Sequence, residues 1–377
     1  MTRPIVQRNP CLDLVPSLPM PGAFPTPTTP TTQVMRPTQL PVIENLTPDA
    51  PKNYPNQLWE VKILQLVYFP LAENGTQLDI GVTGDVGEDL SIMRAFVEAQ
   101  SALTIQAMEE GCHETIAYRI MGRIEVNEGY PLTFGTDFRP SGYNPPLVDY
   151  KAILNRFNLN SWLAQGVSQI WIWGYHGDKV VLWESNMASS WGNISNSDRN
   201  KNELPIVPGK SYTVFNFNYG RDVASSVESL THQIEAVLNF VDGRDTTPRE
   251  VWDSLLFWGY FVGSNFSHKM LPRNGVYRCG WVHYAPNSVK DYDWFNPRVV
   301  TSDIGDWRPE GGGATAEVSA STWSATDDGG LAWKIAWMKA IPRENNGLTF
   351  RGKTLSNWWE FIGDWDGAMM AGRKLAN

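Results

Sequence analysis

A histidine flanked by acids on one helical turn is the first place in this chain where chemistry is expected. In VASSVESLTHQIEAVLNFV, running from Val223 to Val241, an angular step of 100° per residue puts Glu228, His232 and Glu235 together on one side. Val223, Val227, Leu230, Ile234, Val237, Leu238 and Val241 form an apolar stripe on the other side. A His and a Glu three residues apart can ligate one metal ion, or the Glu can orient the imidazole as an acid–base group. Either role needs a further group from elsewhere in the chain. The same pattern also fits a solvated helix face carrying a surface ion pair.

A second concentration of polar groups lies in CGWVHYAPNSVKDYDW, from Cys279 to Trp294. Pro286-Asn287 marks a turn, so Gly280 to Tyr284 is predicted as a short strand delivering His283 to its end, with Asp291 and Asp293 on the loop that follows. Loops after strand ends commonly carry binding groups. The alternative is a structural loop whose carboxylates cap backbone N–H groups around a core histidine. With five histidines in the chain, a histidine-based metal site must draw chiefly on His232 and His283. The expected site therefore has His232 and His283 as metal ligands or acid–base groups, with Glu184, Glu235 and Asp291 as catalytic carboxylates. Asn287, Asp293, Trp294, Trp358 and Trp359 are the candidates for substrate contact, and zinc or calcium is the expected ion.

The run NYGRDV…THQIEAVL, followed by VHYAPNSVKDYDW and by NWWEFI, resembles a family of large, secreted, uncharacterised bacterial proteins in which similar segments recur in the same order. The likeness spans roughly residues 58–365 and is most specific in APNS…DYDW. It implies secretion but no particular reaction. It implies shared positions at Glu184, Ser185, His232, Glu235, His283, Asn287, Asp291 and Asp293. The chain departs from the family at Ser168-Gln169-Ile170-Trp171, where acidic residues tend to precede the Trp.

The elements that would position these groups follow an α/β rhythm. Strands are expected at Leu58 to Pro70, Ala117 to Val126, Ser168 to Tyr175, Val180 to Glu184 and Tyr212 to Tyr219. Helices are expected at Leu90 to Glu110 and Tyr150 to Phe157, and from Asp222, which is placed to cap the central helix, to Gly243. Pro248 to Val262 reads as an apolar helix too short to span a bilayer. The glycine- and aspartate-rich stretch DIGVTGDVGED could hold calcium through Asp79, Asp85, Glu88 and Asp89, although its spacing is not that of an EF-hand. His113 and Glu114 read as a polar surface pair, and His268 as a surface residue. Gly311 to Gly330 reads as a mobile insertion near the site, and Trp358-Trp359 as an aromatic groove or a layer over the sheet. The fold expected is a central mixed sheet flanked by helices: a single α/β domain over 58–377, Trp-rich toward its C terminus, behind an extended Pro/Thr-rich arm at 1–57.

Composition narrows the partners. A net charge of −9 with no basic patch argues against nucleic acid, and no apolar window is long enough to span a membrane. No G-x-G-x-x-G after a strand, P-loop, G-x-S-x-G or H-E-x-x-H is present, so no nucleotide cofactor is expected. The start MTRPIVQRNP lacks the apolar core of a signal peptide. The PTPTTPTT segment and sequons at Asn45, Asn74, Asn193 and Asn265 nonetheless suit a secreted or cell-surface chain whose signal has been removed. Cys11, Cys112 and Cys279 allow at most one bridge. The function expected is a secreted hydrolase of an extracellular polymer, glycan or peptide. The alternative is a non-enzymatic glycan-binding or cell-surface assembly protein that uses its aromatics as a platform and its arm for self-assembly.

Overall fold

The computed structural model describes residues 48–133, 146–176, 180, 184–197, 200–323, 330–344 and 346–377. Six strands form one sheet: β1 (Trp59–Tyr68), β2 (Ile116–Val126), β3 (Val167–Gly174), β4 (Ser185–Ala188), β5 (Ile194–Asn196) and β6 (Tyr212–Asn218). Their order is β2-β1-β3-β6-β4-β5. The first four are parallel, and β4 and β5 complete the sheet as an antiparallel pair beyond β6. This is the α/β fold with a mixed sheet that the alternation of periods predicts. β1 reads as a nearly continuous apolar run because both of its faces are covered, and Ile63, Leu66, Val67 and Tyr68 are fully buried.

Helices cover the sheet on both sides. Neighbouring residues of a strand point to opposite faces. Phe215 of β6 faces α2 (Val223–Val241) alongside Leu230, Ile234 and Val237, whereas Asn216 accepts a hydrogen bond from the Tyr150 hydroxyl at 2.7 Å on the other side. α2 packs with α1 (Leu90–Gly111) and α3 (Leu331–Ala340) into one layer. Aspartates cap two of these helices: Asp222, as expected, accepts from the Ser225 amide, and Asp89 accepts from the Ser91 amide at the start of α1. α2 stops at Val241, with Asp242 as its C-cap, slightly short of Gly243.

Several local expectations change. Pro248 to Val262 is not one α-helix: Arg249–Ser254 is 3₁₀, and Leu256–Val262 is a π-helix packed in the aromatic core with Trp307 and Trp358. Part of the supposed insertion is regular, since Ala316–Val318 pairs with Val300–Ser302 and Ala320–Trp323 is helical. The stretch 324–329 lies outside the described residues. Residues 181–183 of the expected strand at Val180 to Glu184 lie outside them as well, as does the arm to residue 47. Residues 49–57 sit on the body: the Asp49 amide donates to the Ile120 carbonyl at 3.0 Å, and Lys52 Nζ reaches Glu109 Oε1 at 2.7 Å. Asp79 and Asp89 serve as helix caps rather than converging on an ion. His113 is half-buried beside the Lys339 carbonyl, and Lys339 pairs with Glu110 at 2.6 Å. Cys112 and Cys279 are buried and unpaired. Of the sequons, Asn74 is exposed, but Asn193 is buried with its amide bonded to Asn202 and to the Ser189 N–H. Among the described residues, no helix is long and apolar enough to cross a membrane.

Candidate metal centre

α2 is buried on both of its sides. His232 and Glu235, on the face opposite the apolar stripe, are each about 4% exposed, because the segment from Trp281 to Trp294 and helix α3 lie against that face. A solvated helix face is thereby ruled out. His283 arrives not from a strand but from a tight turn in which the amides of Trp281 and Tyr284 each donate to the other's carbonyl at 2.9 Å. Gly280 makes this turn possible. Its φ is +76°, and a Cβ there would stand 2.2 Å from the Tyr284 carbonyl oxygen.

The two imidazoles meet edge to face, with Nε2 of His232 2.8 Å from Nε2 of His283. Glu228 Oε1 completes a triangle, 3.5 Å from His283 Nε2 and 4.0 Å from His232 Nε2. These three edges bracket the roughly 3.3 Å separation of two ligand atoms around a tetrahedral ion with bonds of about 2.0–2.1 Å. Among the described residues, Glu228, His232 and His283 form the group able to hold a metal ion.

Each member of the triangle is braced from behind. His283 Nδ1 is hydrogen-bonded to Asp291 Oδ1 at 3.0 Å, and His232 Nδ1 lies 3.4 Å from Glu235 Oε2, an ion-pair contact without a hydrogen bond. Glu228 Oε2 is 2.7 Å from Nζ of Lys334, whose side chain is fully buried, donates also to the Ala224 carbonyl, and lies over the Trp294 ring. A carboxylate behind Nδ1 turns Nε2 toward the shared centre and makes it a better donor. Burial disfavours charge on His283, yet the hydrogen bonds to Asp291 and Glu228 prevail and lift its pKa to about 9. Burial likewise disfavours charge on Glu228, but His283 and Lys334 hold its carboxyl well below the ordinary range.

The other predicted residues divide by position. Glu184, at the end of the loop before β4, is within electrostatic reach of His232, Glu228 and His283. Its side chain is exposed and accepts a hydrogen bond from the Asn196 side-chain amide. Ser185 donates to Gln233 on α2 at 2.5 Å, tying that strand end to the site helix. Asn287 is fully buried and donates to the Asn296 carbonyl. Asp293 accepts from the Val289 amide at 2.9 Å and from the Asn296 side chain at 2.7 Å. Both shape the loop, and Trp294 is buried beneath Lys334. Trp358 and Trp359 are fully buried core residues, so the groove expected of them is not formed; the indole of Trp358 donates to the Leu375 carbonyl. His268 is half-buried rather than on the surface, edge-on to Trp252, Trp258 and Trp281, and burial among them and nearby Arg244 push its pKa down to about 4.

Sequence reasoning singled out both histidines, but it gave Glu228 no role, took Glu235 and Asp291 for catalytic carboxylates where they stand behind the Nδ1 atoms, and missed Lys334 and Tyr292. The signal for Lys334 was a lysine between tryptophans in LAWKIAWMKA, on a helix with little else polar to face the core. The signal for Tyr292 was its place between Asp291 and Asp293. Comparison of the chain with protein-family models, with curated proteins and with solved structures finds no match.

Proposed function

We propose that the protein is a metal-dependent hydrolase acting outside the cell on a polymer, glycan or peptide, with Glu228, His232 and His283 as ligands. The observation that carries this reading is the convergence of two Nε2 atoms and one carboxylate oxygen, each with its own partner behind it. Two imidazoles and one carboxylate suit zinc or a similar transition metal better than calcium, which takes oxygen ligands. Such an ion supplies Lewis acidity and lowers the pKa of a bound water to about 7.

The chain's own residues would do the rest. Asp291 and Glu235 keep the imidazoles oriented with Nε2 free, and Lys334 holds Glu228 in its ionised form. Glu184, an exposed carboxylate within electrostatic reach of both imidazoles, is placed to take a proton from an attacking water and return it to the leaving group. An extracellular setting is supported by the Pro/Thr-rich segment and by the exposed sequon at Asn74. The platform-type alternative loses Trp358 and Trp359, which are inaccessible.

Protein purified without added metal should contain about one transition-metal ion per chain. His232→Ala and His283→Ala should each lower that content at least tenfold, and chelation should abolish any turnover found in a screen of polysaccharide and peptide substrates. A parent protein that neither retains nor takes up zinc or cobalt would sink the proposal.

A further inference from the structure

Tyr292 stands at the open side of the metal centre. Its side chain is 48% exposed, while the two imidazoles beneath are buried, and its ring lies 3.9 Å from the His283 ring, centroid to centroid. Its hydroxyl donates to Glu228 Oε1 at 3.4 Å, the oxygen that also faces both Nε2 atoms. At that length the bond is weak. The acceptor is also the atom an ion would claim, which leaves the hydroxyl available to another oxygen at the same spot.

The backbone around the residue is built to hold it there. Tyr292 has φ +55°, a left-handed conformation that a bulky side chain adopts only when its surroundings impose it. Its amide donates to the His283 carbonyl at 3.2 Å, its ring meets Trp294 edge-on, and the preceding residue, Asp291, is bound to His283 Nδ1. The residue that orients a ligand and the residue that overhangs the centre are thus adjacent on one clamped loop.

Charge around the centre restricts what could be held. Glu184, Glu228, Glu235 and Asp291 all surround it. Lys334 is fully buried and committed to Glu228 and the Ala224 carbonyl, so it is not offered to a substrate. A phosphate or sulfate ester brings permanent negative charge into this ring of carboxylates, where among the described residues Lys334 is the cation paired with the centre and no second one joins it as a fork. A neutral carbonyl brings none, and acquires negative charge only as water adds to it.

Resting on the metal-centre reading, we infer that the substrate is an amide or ester, and that the Tyr292 hydroxyl donates a hydrogen bond to the oxyanion formed on its carbonyl. In the step implied, a water oxygen bonds to the carbonyl carbon, the C=O π pair moves onto oxygen, and the water proton passes to Glu184. The Tyr292 proton stays on its own oxygen throughout. Collapse then breaks the bond to the amine or alcohol, which leaves with the proton held by Glu184.

Cobalt(II)-loaded protein allows a test that needs no known substrate. Titration with cobalt gives metal affinity, and the visible bands then report the binding of acetohydroxamate, an acyl-type anionic probe, and of inorganic phosphate. The expected result is that acetohydroxamate binds at least tenfold more tightly than phosphate. Tyr292→Phe should weaken acetohydroxamate roughly 10- to 100-fold while leaving cobalt affinity and melting temperature unchanged. Phosphate binding as tight as acetohydroxamate would overturn the acyl assignment. Unchanged acetohydroxamate affinity in Tyr292→Phe, or loss of cobalt from that variant, would overturn the role of the hydroxyl. Failure of the parent to bind cobalt would identify the metal reading itself as the fault.

Discussion

Lys334 is the residue whose removal best separates a metal centre from a structural ion-pair network. Its side chain is fully buried, and its ammonium neutralises Glu228 from the side away from the histidines. Lys334→Met conserves much of the volume but leaves a mostly buried carboxylate without its cation, a loss typically worth about 3–5 kcal/mol. The expected outcome is a large drop in melting temperature for the metal-free variant. The drop should shrink when zinc is supplied, because the ion then neutralises Glu228 from its other oxygen. Melting curves of parent and variant, with chelator and with zinc, check this. An equal drop in both conditions would mean that Glu228 never meets an ion.

At the scale of elements, the centre depends on a helix and a turn held in register. The turn is the more fragile of the two. Gly280→Ala would put a Cβ against the Tyr284 carbonyl oxygen in a backbone conformation that alanine disfavours, displacing the turn that delivers His283. We expect a loss of about 1–3 kcal/mol in stability and at least a tenfold loss in metal affinity, read from denaturant melts and a metal titration. Unchanged metal affinity would show that the turn does not set the position of His283. The helix was legible from sequence because Asp222, the 3.6-residue stripe and the polar side are local features, and so was the pairing of His232 with an acid. The burial of that polar side was not legible, because it comes from α3 and the Trp281–Trp294 segment, about a hundred and about fifty residues away in the chain. The π-helix at Leu256–Val262 was equally hidden, since its apolar residues carry no signal distinguishing it from an α-helix. Trp358 and Trp359 were misplaced for a related reason: composition says that a tryptophan is useful at a surface or in a core, but not which.

For the whole molecule, two histidines in opposite environments shape how stability should vary with pH when no metal is present. His283 has a folded pKa of about 9 against an ordinary 6.5, because Asp291 and Glu228 outweigh the burial that disfavours its charge. A folded pKa above the unfolded value means that the stabilisation is fully present below about pH 6.5 and is lost as pH rises through about 9, by on the order of 3 kcal/mol at most. His268 behaves in the reverse sense. Its folded pKa is pushed down to about 4 by burial among tryptophans and by Arg244, so its contribution is present above pH 6.5 and lost as pH falls toward 4. The two limbs predict maximal stability of the chelated protein near pH 6.5. Zinc should remove the alkaline limb, because ligation takes the place of the proton on His283 Nε2 and metal binding strengthens as pH rises. Denaturant melts from pH 4 to 10, in chelator and in zinc, test both limbs. His283→Gln should flatten the alkaline limb in chelator and leave the acid limb intact, and an alkaline limb of the same depth in that variant would assign it to some other group.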